Sequence, residues 1–95
     1  MKDRYTDTAL RELDEILAYI ADRNFTAAAS VRARVEELVE RLSYFPYLAQ
    51  GTERNGVRRV PLGNYPYVIF YTVEAEEVVI LRIRHGARRP LWDTE

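Results

Sequence analysis

The hydrophobic period of this chain changes once, near Gly56, and that change constrains its architecture more than any other feature. Before it, apolar residues recur at helical spacing. After it, they come in short runs rich in β-branched and aromatic residues, which is the pattern of strands. A chain that keeps helices in one half and strands in the other folds as α+β. At 95 residues it is expected to form one domain, 1–95, burying roughly 60 to 65% of the surface its unfolded form exposes.

In the first half, Leu10, Leu13, Ile16, Leu17 and Ile20 predict a helix from Thr8 onward, with Asp7 or Thr8 as N-cap and Asn24 near its end. A second helix begins near Thr26, runs through Ala28, Val31, Val35, Leu38 and Leu42, and is stopped by Pro46 after Phe45. The linker is only about three residues long, so the two helices form an antiparallel hairpin. Residues 46–56, PYLAQGTERNG, contain turn formers and no period, and read as a loop.

In the second half, VRRVPL, YPYVIFYTV and EVVILRIRH are expected strands, the last two joined into an antiparallel hairpin by EAEE. Along the final strand Val79, Leu81 and Ile83 alternate with Val78, Ile80, Arg82 and Arg84. One face is therefore apolar throughout and is expected to lie on the helices, while the other turns cationic. The opening KDRYT adds an edge strand. The expected architecture is a helical hairpin packed on a small antiparallel sheet, in the order βααβββ.

Composition narrows the chemistry. The chain has no cysteine and one histidine, so a disulfide, a thiol nucleophile and a cysteine-based zinc site are excluded, and neither metal nor cofactor is expected. The N-terminus is charged and no segment has the length of a membrane span, so a cytoplasmic protein with no membrane partner is expected. The net charge of −1 is unevenly spread: residues 1–53 carry seven basic against ten acidic side chains, and residues 54–95 seven against five. With a pI near 5.9, the chain lacks the basic signature of a dedicated nucleic-acid binder, and no direct sequence-specific DNA binding is expected.

The stretch RIRHGARRP, residues 82–90, nevertheless concentrates four of thirteen arginines and the single histidine. Arg82, Arg84, Arg88 and Arg89 can gather at one end of the domain, where each guanidinium can fork to a phosphate or carboxylate. His85 has the parity of Leu81 and Ile83 beside Gly86, which suits a structural turn histidine better than a catalytic one. Tyr65, Tyr67 and Tyr71 share the parity of Ile69 and Val73; packing is favoured for Tyr71 over a base-stacking role.

Four segments taken in order resemble the RelE/ParE superfamily of toxins from type II toxin–antitoxin systems, and ParE more than RelE. They are ALRELDEILAYIADRN; AAASVRARVEELVERLSYFPYLAQG; NGVRRVPLGNYPYVIFYTV, with Arg58 after Gly-Val and Tyr71 ending the aromatic strand; and VVILRIRHGARRP. The resemblance implies a toxin neutralised by a cognate antitoxin that wraps the helical hairpin and sheet. ParE-like members poison DNA gyrase, whereas RelE-like members cut mRNA on the ribosome. On the ParE-like reading no catalytic residue is expected; Arg82, Arg84, Arg88, Arg89 and Trp92 contact the target, and Ala28, Val31, Leu38, Val78, Ile80 and Arg82 contact the antitoxin. The alternative is an endoribonuclease with His85 as acid or base and Arg58 and Arg82 on the phosphate, but its set of basic residues is incomplete. A third reading keeps antitoxin binding without toxicity.

Overall fold

The computed structural model describes residues 1–86. Among them run β1 (Lys2–Tyr5), α1 (Asp7–Ala21), α2 (Phe25–Tyr44), β2 (Gln50–Gly51), β3 (Arg58–Pro61), β4 (Tyr67–Glu74) and β5 (Glu77–His85). The α+β class and the helical hairpin are as expected. No helix among the described residues is long and apolar enough to cross a membrane.

Local chemistry places the helix ends. Thr6 caps α1: its Oγ1 accepts the amide of Ala9 at 3.0 Å and donates to the Leu81 carbonyl at 2.9 Å. The N-cap is therefore Thr6 rather than Asp7 or Thr8, because a cap there also ties the helix start to the sheet. Asn24 likewise serves two helices. Its amide donates to Ile20 O at 2.7 Å, closing α1, while its side chain accepts from Ala27 N at 3.0 Å, opening α2.

The sheet order is β1-β5-β4-β3-β2. β2 to β5 pair antiparallel with their neighbours, but β1 runs parallel to β5, so the sheet is mixed rather than antiparallel. The segment expected to be a loop also holds β2, two residues paired with Arg58 and Arg59. A strand that short has no readable period.

Leu13 and Leu17 of α1 and Val31, Val35, Leu38 and Leu42 of α2 form one core with Ile69, Tyr71, Val78, Ile80 and Ile83 of the sheet. This corrects the face expected for β5. The β4–β5 register shifts between Phe70 and Tyr71: Phe70 pairs with Arg82 and Tyr71 with Ile80, leaving Leu81 as an extra residue. Such a bulge reverses the alternation beyond it. Val78 and Ile80 before it, and Ile83 after it, join the helices, while Leu81 packs with Val57, Val68 and Phe70 in a second cluster.

Candidate functional site

The bulge also organises the surface where α1 meets the end of β5. Arg82 donates from Nε to Glu12 Oε1 at 3.0 Å and from Nη2 to Glu12 Oε2 at 2.7 Å, and the Ile83 amide donates to Glu12 Oε1 at 3.0 Å. The paired side chains are only 15% and 17% exposed. Arg82, expected to meet target, antitoxin or phosphate, is thus committed within the chain to a helix that sequence reading did not link to it. The signal was present: Glu12, Ile16 and Tyr19 recur at helical spacing beside the buried stripe.

Two residues further along β5, Arg84 lines a groove of about 670 Å³ with Glu12, Glu15, Ile16 and Tyr19 of α1, Tyr67 of β4, and Ile83 and His85 of β5. Its Nη1 is shut off from solvent and has no acceptor among the described residues. A guanidinium nitrogen left so costs about 1–3 kcal/mol, and an incoming carboxylate would relieve that cost. Ile16 and the rings of Tyr19 and Tyr67 supply apolar wall beside it.

His85 is exposed at the end of β5, opposite Tyr67 in register. The two rings meet edge to face, with centroids 5.8 Å apart and planes at 81°. Gly86 follows, its amide donating to Pro66 O at 2.7 Å. Tyr71, by contrast, is sealed in the core with its hydroxyl on Pro46 O at 2.7 Å, a packing residue as expected.

The residues of the ribonuclease alternative are not gathered. Arg58 pairs with Tyr71, whereas His85 pairs with Tyr67, four positions along β4. At strand spacing that is about 13 Å. Arg58 donates instead to Ala49 O at 2.8 Å. No cluster suited to a metal ion occurs among the described residues.

Of the residues expected to meet an antitoxin, Ala28, Val31, Leu38, Val78 and Ile80 are buried within this chain, so little of their side chains is offered to a partner. Helical periodicity identified the apolar stripes of α1 and α2 but did not say whether each was already covered. Arg88, Arg89 and Trp92 lie outside the described residues.

Comparison with known proteins agrees with this architecture. Residues 4–90 match the family model described as the ParE toxin of the type II toxin–antitoxin system parDE. The protein Y4kP of Sinorhizobium fredii is 38% identical over 83 residues, covering 87% of this chain and 85% of that one. Toxin ParE3 of Caulobacter vibrioides is 33% identical over 78 residues, covering 79% and 76%. Among solved structures, a chain of the chromosomal ParDE system of P. aeruginosa superposes with a TM-score of 0.79 at 26% identity, covering 90% of this chain and 95% of that one. A chain of the RelBE2 toxin–antitoxin complex of Mycobacterium tuberculosis gives 0.61 at 25%, covering 92% of each. With nearly its whole length matched and the same arrangement of helical hairpin and sheet, the chain belongs to the ParE toxin family of type II toxin–antitoxin systems.

Proposed function

We propose that this toxin arrests growth in the cytoplasm by binding DNA gyrase rather than by cutting RNA, and that a cognate antitoxin neutralises it. The observation that carries the choice between binding and cutting is the dispersal of the nuclease alternative. Its arginine on β3 is tied to Ala49, its arginine on β5 to Glu12, and its histidine stands four strand positions from the first. Acid–base and phosphate-stabilising groups must converge on one reacting bond. The choice of gyrase rests on the ParE character of the chain.

A protein antitoxin is supported by two structural neighbours that come from toxin–antitoxin systems. Its seat on this reading is the groove between α1 and the ends of β4 and β5. There Arg84, and not Arg82, takes a carboxylate of an acidic antitoxin segment, and an apolar side chain of that segment lies between Ile16, Tyr19 and Tyr67.

Induced expression, alone and together with the antitoxin, tests the proposal. Wild-type protein arrests growth, antitoxin restores it, and His85→Ala, made in a chain shown to fold, keeps most of the toxicity. Loss of toxicity in folded His85→Ala would sink the binding reading in favour of a nuclease.

A further inference from the structure

The last residue of α2 and the segment after it carry Tyr44, Phe45, Tyr47 and Leu48, exposed by 72, 62, 65 and 63%. The core makes no use of them. Four large apolar side chains within five residues form the kind of patch that marks a protein interface, and tyrosine, phenylalanine and arginine are enriched at such places.

The segment is held rather than loose. Tyr71 donates from its hydroxyl to Pro46 O at 2.7 Å, and Arg58 donates to Ala49 O at 2.8 Å, so two side chains of the sheet grip the backbone on either side of Tyr47 and Leu48. The Arg58 guanidinium also lies 5.0 Å from the centre of the Tyr47 ring, within cation–π range. Backbone bonds from Phe45 N to Arg41 O at 2.9 Å and from Leu48 N to Phe45 O at 3.1 Å complete the turn. A projection already fixed in shape loses little freedom on binding.

A cation stands at the segment itself: the Arg58 guanidinium beside Tyr47 is bonded to the Ala49 carbonyl and has no carboxylate partner among the described residues, whereas Arg41 is paired with Glu37. The complementary surface is an apolar hollow with a carboxylate rim. The projection is also built from different elements than the α1–β5 groove, since it hangs from the end of α2 and is tied to β3 and the middle of β4.

We infer that residues 44–48 form a preformed knob by which the toxin docks into an acid-rimmed apolar hollow on its protein target, on a surface separate from the antitoxin seat. This rests on the toxin reading above. Polar projections tolerate substitution without loss of fold, and so do exposed apolar ones, because Phe45 and Tyr47 contribute nothing to the buried clusters.

The test compares wild type, the double variant Phe45→Ser/Tyr47→Ser, and Phe25→Ser, which removes a still more exposed ring at the start of α2. Growth arrest, antitoxin affinity by calorimetry, Tm and elution volume are measured on each. The double variant loses toxicity by roughly tenfold or more, as loss of a hot-spot ring implies, with antitoxin affinity, Tm and elution volume unchanged, and Phe25→Ser remains toxic. The inference is overturned if the double variant is as toxic as wild type, or if antitoxin affinity falls in parallel, which would make the knob the antitoxin seat. It is overturned equally by a dimer that becomes monomeric in the variant, or by tight binding of single-stranded oligothymidylate that the variant loses. A wild type that does not arrest growth removes the toxin reading and this inference together, whereas a toxic wild type with an equally toxic variant removes this inference alone.

Discussion

Glu12 on α1 holds Arg82 on β5 through two hydrogen bonds of 3.0 and 2.7 Å and takes the Ile83 amide on the same carboxylate. One helix side chain thus satisfies both the cation and the backbone donor next to an inserted residue. It sews α1 to the sheet at the point where strand alternation breaks, and it leaves Arg84 as the cation facing the groove.

Removing that carboxylate should be costly. Glu12→Ala leaves a largely shielded guanidinium and an amide without their acceptor, so a loss of about 2–3 kcal/mol is expected in urea unfolding. Glu12→Gln, which keeps one oxygen for the Ile83 amide, should cost less. Equal and small effects for both would show that the clamp does not hold α1 to β5.

Tyr71 gives a prediction in alkaline solution. Burial pushes its hydroxyl above the usual tyrosine range, opposed by a backbone contact with Ala49 and by Arg58. The folded chain therefore keeps its proton when the unfolded chain, titrating at about 10, begins to lose it. Stability is complete below that pH and falls as pH rises through the raised value. Tyr71→Phe should cost about 1 kcal/mol at neutral pH and show a shallower alkaline decline; a decline as steep as wild type would exclude Tyr71 as its source.

The β4–β5 turn carries strain that substitution can relieve. Ala75 and Glu76 have φ of 46° and 63° between the paired residues Glu74 and Glu77, the geometry of a type I′ turn, which favours Asn-Gly. Ala75→Asn/Glu76→Gly should raise stability by about 1 kcal/mol without altering toxicity. An unchanged or lower Tm would refute that account of the turn.

Arg84→Ala separates the groove from the rest of the surface. Loss of a charge-assisted bond should weaken the antitoxin by roughly tenfold, and growth arrest measured on the same variant reads whether Arg84 also meets the target. Unaltered affinity would place the antitoxin elsewhere.

How far the sequence could be read follows from these residues. The helices were legible because Leu13, Leu17, Val31, Val35 and Leu38 repeat at helical spacing, and the β4–β5 hairpin because two apolar runs flank EAEE. The face of β5 was not, since a period of two carries no mark of the extra residue Leu81. Nor did KDRYT reveal that it would lie parallel to β5. The arginines could be located but not their partners, because Arg82 finds Glu12 across 70 positions of sequence. Tyr47 and Leu48 fell in a stretch without period, and only the bonds from Arg58 and Tyr71 show it to be ordered.

Inhibition through gyrase, as proposed above, is tested most directly by supercoiling of relaxed plasmid with purified gyrase, titrated with the toxin and repeated with antitoxin. Loss of supercoiling with accumulation of cleaved DNA, both reversed by antitoxin, is expected; unchanged supercoiling by a preparation that arrests growth would refute gyrase as the target.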